Sequence, residues 1–304
     1  MAFAQGSRSG LSYIKETTFG TTPAGNLTSL PFTNHSLDLS KERVQGNDIQ
    51  PDRMTRVDRH GNRNAVGDIV ADLRKGDYDD LLESAFFNDF STDTLKVGVD
   101  PKFLTLQDTA FNISQTRTFT GMAVSSVNFS IAPNQMVVTT FSMVGKDMTQ
   151  TSSGGTVDDA SDNAPFDSYS GTIGIGDTGG SLTNSGCITS IDLTLDNSLA
   201  PTFCVGEDTT PQLEFGRAVV EGTVTFYYEN ETIINRFLNE TETALQFSVD
   251  DPTGSNPYTI LLPKVKFNGA AVPVSDPQSR VITVPIVALY DSVEESNIVL
   301  TRTS

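Results

Sequence analysis

The sequence predicts a mainly β protein made of two tandem units, each with one flanking α-helix. Three observations support this prediction. The composition is rich in Thr, Ser and Asn, short segments alternate apolar and polar residues, and one order of strands and helix occurs twice. Because a repeated order makes each copy a building block, the chain is not expected to form a single cleft with one chemistry.

The repeat rests on two pairs of short segments. Residues 37–40 alternate like a strand and are followed by 67–70 and then by an amphipathic helix. In the second half, residues 191–194 and 222–225 are followed by another amphipathic helix. Further strands are predicted after each helix, so the two halves agree in their order of elements.

The first unit is predicted to cover residues 1–150. Residues 1–30 are rich in Gly, Thr and Ser and are predicted to form an N-terminal arm with one short strand, disordered before docking. Residues 41–64 are charged and lack periodicity, which predicts a long loop. Strands are predicted at 37–40, 66–73, 103–106, 121–131 and 136–144, the last two forming a hairpin.

A polar linker at 151–164 is predicted to separate the first unit from the second, which covers 165–304. The linker is rich in Ser, Thr, Gly and Asp and has few apolar residues. Strands are predicted at 169–175, 188–195, 218–228, 244–249, 258–267 and 280–289. Residues 196–216 are predicted to be a loop equivalent to 41–64.

Each predicted helix has one apolar face. The first spans 78–87 with Asp77 as its N-cap, and the second spans 231–238 with Asn230 as its N-cap. The side chains at helical spacing that should pack on the sheets are Leu81, Leu82 and Phe86 in the first helix, and Ile233, Ile234 and Phe237 in the second.

The charge of the chain argues against binding DNA through its phosphates. The formal net charge is −18, with 20 Lys and Arg against 38 Asp and Glu. Most of the excess lies in the second half, where residues 153–304 hold 6 basic and 21 acidic residues. Such a chain does not gain affinity by releasing counterions from a duplex, but it can repel a duplex that slides past.

No catalytic, cofactor-binding or metal site is predicted. His35 and His60 lie in no motif that pairs a base with a nucleophile. The acidic residues at 77–83 favour a helix N-terminus. Residues 158–163 lack the Gly and the closing Glu of a calcium loop, and no helix follows the glycines at 174–180 to hold a phosphate.

The two predicted loops carry opposite charge, which favours electrostatic docking between subunits. The basic candidates are Lys41, Arg43, Arg53, Arg56, Arg59 and Arg63, and the acidic candidates are Glu207, Asp208 and Glu214. The alternative is that these are two unrelated solvated loops.

Four segments carry a recognisable pattern: residues 11–23, with the sequence LSYIKETTFGTTP, residues 36–43, residues 67–69 and the helix start at 78–85. Together they resemble phage major tail (tail tube) proteins, and residues 11–23 resemble the opening of that family. The resemblance is greatest to the tube proteins of long-tailed, non-contractile siphophages. It implies a β-sandwich or partial barrel with a flanking helix, six of which close a ring around a lumen and stack into a tube.

Two such units in one chain imply a duplicated gene and a trimeric ring with pseudo-sixfold symmetry. The alternative is a hexameric ring in which residues beyond about 165 decorate the outside. The resemblance further implies a structural, non-enzymatic virion protein, assembled in the host cytoplasm with tape-measure and tail-terminator proteins. It implies no cofactor and no membrane, and an acidic lumen that passes DNA without specific binding, for which alternating positions on 121–144 and 258–289 are candidates.

Two other classes of function stay open from the sequence. One is a virion-borne β-sandwich module that binds carbohydrate for host adhesion, although the absence of Trp lowers its support. The other is a β-sandwich enzyme, for which no pair of carboxylates is nominated.

Overall fold

The computed structural model describes residues 3–183, 187–254, 257–274, 277 and 279–303. It assigns 51% of the residues to strands and 6% to helices, so the prediction of a mainly β fold is confirmed. All pairings among its named strands are antiparallel, as expected where short connections join neighbouring strands.

The elements fall into two sets, here called the first and second repeats. The first repeat contains β1 (Ser9–Glu16), β2 (Thr28–Leu30), β3 (Asn34–His35), β4 (Asp38–Gln45), β5 (Asp58–Asp72), α1 (Asp79–Phe86), β6 (Thr94–Lys96), β7 (Phe103–Ala110), β8 (Gln115–Ile131), β9 (Val138–Gly145) and β10 (Asp147–Thr151). The second repeat contains β11 (Ile173–Asp177), β12 (Ile188–Asp196), β13 (Ala200–Pro201), β14 (Leu213–Glu214), β15 (Val219–Tyr227), α2 (Thr232–Leu238), β16 (Thr243–Val249), β17 (Tyr258–Phe267), β18 (Val281–Ala288) and β19 (Val299–Arg302).

The two repeats share one order of hydrogen-bonded neighbours. In the first repeat the ladder runs β4–β5–β9–β8–β7–β1. In the second it runs β12–β15–β18–β17–β16–β11. Each strand of one ladder therefore has a counterpart at the same place in the chain order and in the sheet, and each helix follows the second strand of its ladder. The division of the chain into units at 151–164 stays a prediction.

The central pairings of the repeats also agree in register. Ala65 lies opposite Gly145 where β5 meets β9, and Val220 lies opposite Ala288 where β15 meets β18. Counting along these strands makes Gly67 the counterpart of Gly222, as the sequence comparison predicted.

Both of these glycines allow a close approach of the preceding strand. An ideal Cβ on Gly67 would lie 2.6 Å from the Leu37 Cα, and one on Gly222 would lie 2.2 Å from the Asp192 carbonyl oxygen. Leu37 therefore lies against Gly67 in the position that Leu193 occupies opposite Gly222. The predicted match of the first strands, 37–40 with 191–194, is therefore wrong by two residues.

The two helices pack to different depths. Leu81, Leu82 and Phe86 of α1 are fully buried, whereas in α2 only Ile233 is buried and Ile234 and Phe237 are partly buried against the core. No helix in the described part of the chain is long and apolar enough to cross a membrane.

The predicted cap of α1 is wrong. Tyr78 occupies the N-cap position without a side-chain cap bond, and Asp77 instead accepts a hydrogen bond from the Ser161 hydroxyl at 2.6 Å. In α2 the Asn230 side chain accepts a bond from the Thr232 N–H at 2.9 Å, although Glu231 is the residue directly before the helix. The hydrogen-bond donor of a short polar side chain near a helix start therefore depends on the tertiary structure.

The structure corrects the prediction of an N-terminal arm. All eight residues of β1 pair with β7, and Leu11 and Tyr13 are buried in the core. Leu27 and Leu30 are buried as well. Residues 9–16 and 28–30 are consequently strands of the sheet. The Gly- and Thr-rich composition misled because it also suits turns and half-exposed strands.

The structure also corrects the prediction of a loop at 41–64. Half of it, residues 41–45 and 58–64, lies in the strands of a long hairpin, in which β4 and β5 stay paired as far as Gln45 and Asp58. Only residues 46–57, here called the hairpin tip, connect the two strands. Periodicity is missing from this part of the sequence because neither face of the projecting hairpin is buried.

The predicted linker packs against the first repeat. The Leu27 N–H donates to the Thr156 carbonyl, and the Leu27 carbonyl accepts from the Asp158 N–H, each at 2.8 Å. The Asn163 amide donates to the Lys75 carbonyl at 2.8 Å. Beyond the linker, the ring of Phe166 lies 5.1 Å from that of Tyr258. One buried apolar cluster contains residues of both repeats, so the halves share a continuous core.

Candidate assembly interface

A strand junction joins the two repeats within one chain. Residues 126–131 of β8 pair with residues 191–196 of β12. The side chains reinforce the backbone pairing, since the Asn128 amide donates to the Thr194 hydroxyl at 3.0 Å. The ladder of the first repeat therefore continues directly into that of the second, with β8 as the shared strand.

Asn197 fills the fork where β8 leaves β7 and joins β12. Its side chain is 2% exposed and donates to the carbonyls of Ala85, at 2.7 Å, and Val124, at 3.5 Å. Its own N–H donates to the Ser125 carbonyl at 2.8 Å. Asn197, a residue of the second repeat, thus supplies the hydrogen-bond donor for a carbonyl at the end of α1 and for another at the bend of β8.

Replacing Asn197 with alanine should lower the free energy of unfolding by about 1–3 kcal/mol, because two buried carbonyls lose their donor. Urea denaturation followed by circular dichroism would measure this. Asn128→Ala is the matched control, since water can reach that partly exposed site. Equal losses in the two variants would contradict the role of Asn197.

One face of the sheet from β5 to β18 is polar and acidic. Strand alternation turns Ile69, Phe141 and Leu193 into the core and their neighbours outward. The outward polar positions are Asp68 and Asp72 on β5, Thr140 and Ser142 on β9, Asn128 and Ser130 on β8, Asp192, Thr194 and Asp196 on β12, Glu221, Thr223 and Thr225 on β15, and Thr283 on β18. Between β5 and β18 these positions carry carboxylates and no Lys or Arg, so this part of the face has a negative potential. Lys266, on the adjacent strand β17 and opposite the outward-facing Val287, borders it.

These carboxylates come from strands that the sequence did not nominate. The hairpin 121–144 has only Ser, Thr, Asn and apolar residues at its outward positions. The acids lie on β5, β12 and β15 instead. Which strands share a face depends on the pairing of β8 with β12, and that pairing is not evident from local periodicity.

A family model described as phage tail tube protein matches residues 6–288. The chain belongs to the phage tail tube protein family. The match begins at the turn before β1 and ends with the last residue of β18, so it includes both repeats. A search of curated protein sequences finds no significant match.

Family membership gives this tail tube protein a structural role. It places the chain in the virion tail and implies self-assembly into a tube together with other tail proteins. The resemblance found in the sequence is therefore confirmed at the level of the family.

The basic docking candidates of the tail tube protein lie along the projecting hairpin. Lys41 and Arg43 are on β4, Arg53 and Arg56 are on the hairpin tip, and Arg59 and Arg63 are on β5. Arg43 pairs with Asp58 at 2.6 Å and Arg56 pairs with Asp52. These pairs are exposed and contribute little to stability. Among the described residues, Lys41, Arg53 and Arg59 form no ion pair, so half of the six basic candidates remain open to a partner.

The hairpin tip also exposes apolar side chains. Ile49 is 99% exposed and Met54 is 69% exposed. Exposed apolar residues beside unpaired basic residues are typical of a surface that another molecule covers.

One basic and one acidic docking candidate meet inside the chain. The Arg63 N–H donates to the Asp208 carbonyl at 2.8 Å, and its guanidinium lies 3.7 Å from the Asp208 carboxylate. Arg63 also pairs with Asp147 at 3.0 Å. Glu207 and Glu214 are exposed and form no ion pair among the described residues. The connection after β12 therefore docks beside β5 in the same chain, and docking between chains stays a prediction.

A polar network ties α1 to the second repeat. The Tyr258 hydroxyl donates to the Asp79 carboxylate at 2.6 Å, and Arg302 pairs with the same carboxylate. Burial raises the pKa of Asp79, while the Tyr258 hydrogen bond and the Arg302 charge act to lower it. The sequence suggested only favourable helix charge for Asp79, because its partners lie 179 and 223 positions away.

The histidines lie in structural surroundings. His35 lies 3.6 Å from Asp108 and packs edge-on against Phe32, while His60 is exposed on β5. Burial acts to raise the pKa of Asp108, but the hydrogen bonds from His35 and Arg117 outweigh it and lower the pKa. Across the described residues, no three His, Cys, Asp or Glu side chains are grouped to hold a metal ion.

Proposed function

We propose that three copies of this chain close a ring of six repeats, and that stacked rings form the tail tube of a long-tailed, non-contractile phage. The β8–β12 junction is the observation that carries this proposal. It already joins one ladder edge to edge with the next inside a single chain. A head-to-tail contact that repeats and closes gives a ring.

The ladder of the second repeat supports a trimer over a hexamer with an outer decoration. The second repeat has the same strand order as the first and adds its strands to the same exposed face. A decorating domain would not need either property. A gene duplication accounts for two ring units in one chain.

The exposed acidic face is proposed to line the lumen. Its carboxylates repel the phosphates of the DNA backbone, so the genome passes towards the host without specific binding. The hairpin tips and the acidic connections, which are residues 197–218 between β12 and β15, are proposed to join neighbouring subunits and rings. Tape-measure and tail-terminator proteins are the proposed partners along the tube and at its end, with assembly in the host cytoplasm.

Electron microscopy of the purified protein tests the ring. We expect hollow stacked rings whose end-on views show threefold symmetry with a pseudo-sixfold wall. Rings of six chains would overturn the trimer and leave the tube role intact. Compact particles that bind glycans and never stack would favour the host-adhesion module instead.

A further inference from the structure

We propose that the open edge of β3–β4 in one chain pairs with residues 268–274 of a second copy, in the register that the β8–β12 junction sets. This inference rests on the proposed ring. It names the two edges that close the ring between chains and the residues that face each other across them.

Residues 268–274 are the counterpart of the second half of β8. Ala271 exchanges two backbone hydrogen bonds with Thr283 of β18, at 3.3 and 3.1 Å. In the first repeat, Asn128 of β8 pairs with Thr140 of β9. Because the match of Gly145 with Ala288 also aligns Thr140 with Thr283, Ala271 stands where Asn128 stands.

The strand β4 is the counterpart of β12. Asp38 pairs with Val66 on β5, and Thr194 pairs with Glu221 on β15. Val66 and Glu221 each directly precede the matched glycines of their strands, so Asp38 stands where Thr194 stands.

The two correspondences fix a register between chains. Inside the chain, Thr194 faces Asn128 across the junction. The same junction between chains places Asp38 opposite Ala271 of the neighbour. Each edge is free for this purpose, because among the described residues β3 and β4 pair only with β5, and residues 268–274 pair only with β18.

At the open edge of β3–β4, alternate backbone N–H and C=O groups point away from β5. Ser36 donates to the Asp68 carbonyl of β5 at 2.9 Å, so in an antiparallel ladder the groups of Leu37 and Leu39 turn to the open edge. This alternation makes Leu37 and Leu39 the residues whose backbone groups can bond a neighbouring strand.

The backbone of the other edge is complementary. Ala271 is bonded to β18, so Ala270 and Val272 turn outward and face Leu39 and Leu37 in the proposed register. Pro273 shares the alternation of Ala271, so its missing N–H falls on the β18 side and leaves the open edge intact.

Each open edge is covered by a charged side chain of its own chain. The Leu39 N–H donates to the Asp38 carboxylate at 2.8 Å, and Arg280 donates to the Val272 carbonyl at 2.7 Å. Charged side chains on an edge prevent unselective pairing. Because these two covers have opposite charge, unlike edges attract one another and like edges repel.

A disulfide across the proposed contact tests the register. In a Cys187→Ser, Cys204→Ser background, Asp38→Cys is combined with Ala271→Cys. Both positions are exposed, so the fold should tolerate the changes, which circular dichroism would check. A pair without mutual hydrogen bonds has Cα atoms about 4.5 Å apart, which is within the range for a disulfide.

We expect oxidation of assembled rings to give a closed covalent trimer on non-reducing gels, reversed by dithiothreitol. The matched control, Asp38→Cys with Gly269→Cys, is two residues out of register and should cross-link roughly tenfold less. Rings that form without the predicted cross-link, or that prefer the control pair, would overturn the inference and leave the proposed function standing. If the Cys187→Ser, Cys204→Ser parent, which keeps Asp38, forms no rings, both the inference and the proposed function are overturned. Closed covalent hexamers would support the edge pairing and reject the trimer.

Discussion

Gly67→Ala is expected to lower the free energy of unfolding by about 3 kcal/mol or more. The new Cβ would lie 2.6 Å from both the Leu37 Cα and the Ser36 carbonyl oxygen, atoms of a neighbouring backbone that cannot rotate away. The backbone φ of +148° at Gly67 adds strain for any L side chain. Chemical denaturation of the purified variant would measure the loss.

Gly179→Ala is the matched control for this effect. Its φ is +72°, yet no heavy atom lies within 4 Å of an added Cβ, so only the strain remains and about 1 kcal/mol should be lost. Gly222→Ala should behave like Gly67→Ala, because its Cβ would meet the Asp192 carbonyl at 2.2 Å. Equal losses at Gly67 and Gly179 would show that the strand crossing is not tight.

Reversing Arg53, Arg56 and Arg59 to Glu is expected to abolish tube growth and leave the fold intact. These residues lie on or next to the hairpin tip, outside the buried core, so the free energy of unfolding should change by less than about 0.5 kcal/mol for each. Repulsion from an acidic partner surface would prevent docking. Sedimentation and electron microscopy would measure tube length.

Two further variants separate charge from shape at the hairpin. Replacing the same three arginines with Gln removes the attraction without adding repulsion, so tubes should be shorter but present. If the acidic connection is the partner surface, adding Glu207→Lys and Glu214→Lys to the reversed variant should restore growth. Normal tubes from the reversed variant would eliminate electrostatic docking by this hairpin.

Local patterns were sufficient where one face of an element is buried. The strands β9, β15 and β18 alternate between core and solvent, and their predicted bounds lie within two residues of the observed ones. For β7 and β8 only part of each strand was predicted. The hairpin 41–64 gave no such signal, since it projects with both faces exposed. The arm was mispredicted for another reason: β1 is buried by β7, which follows it by more than eighty residues.

The sequence by itself determined the mainly β class, the doubled order of elements, the matched glycines, the acidic charge and the family resemblance. Each of these follows from composition, short periodicity or sequence similarity. The tertiary structure alone decided that β8 pairs with β12, that Asn197 fills the fork, and that Asp79 binds Tyr258 and Arg302. Antiparallel edges bond through backbone groups that all residues share, so side-chain patterns do not specify which distant edges meet.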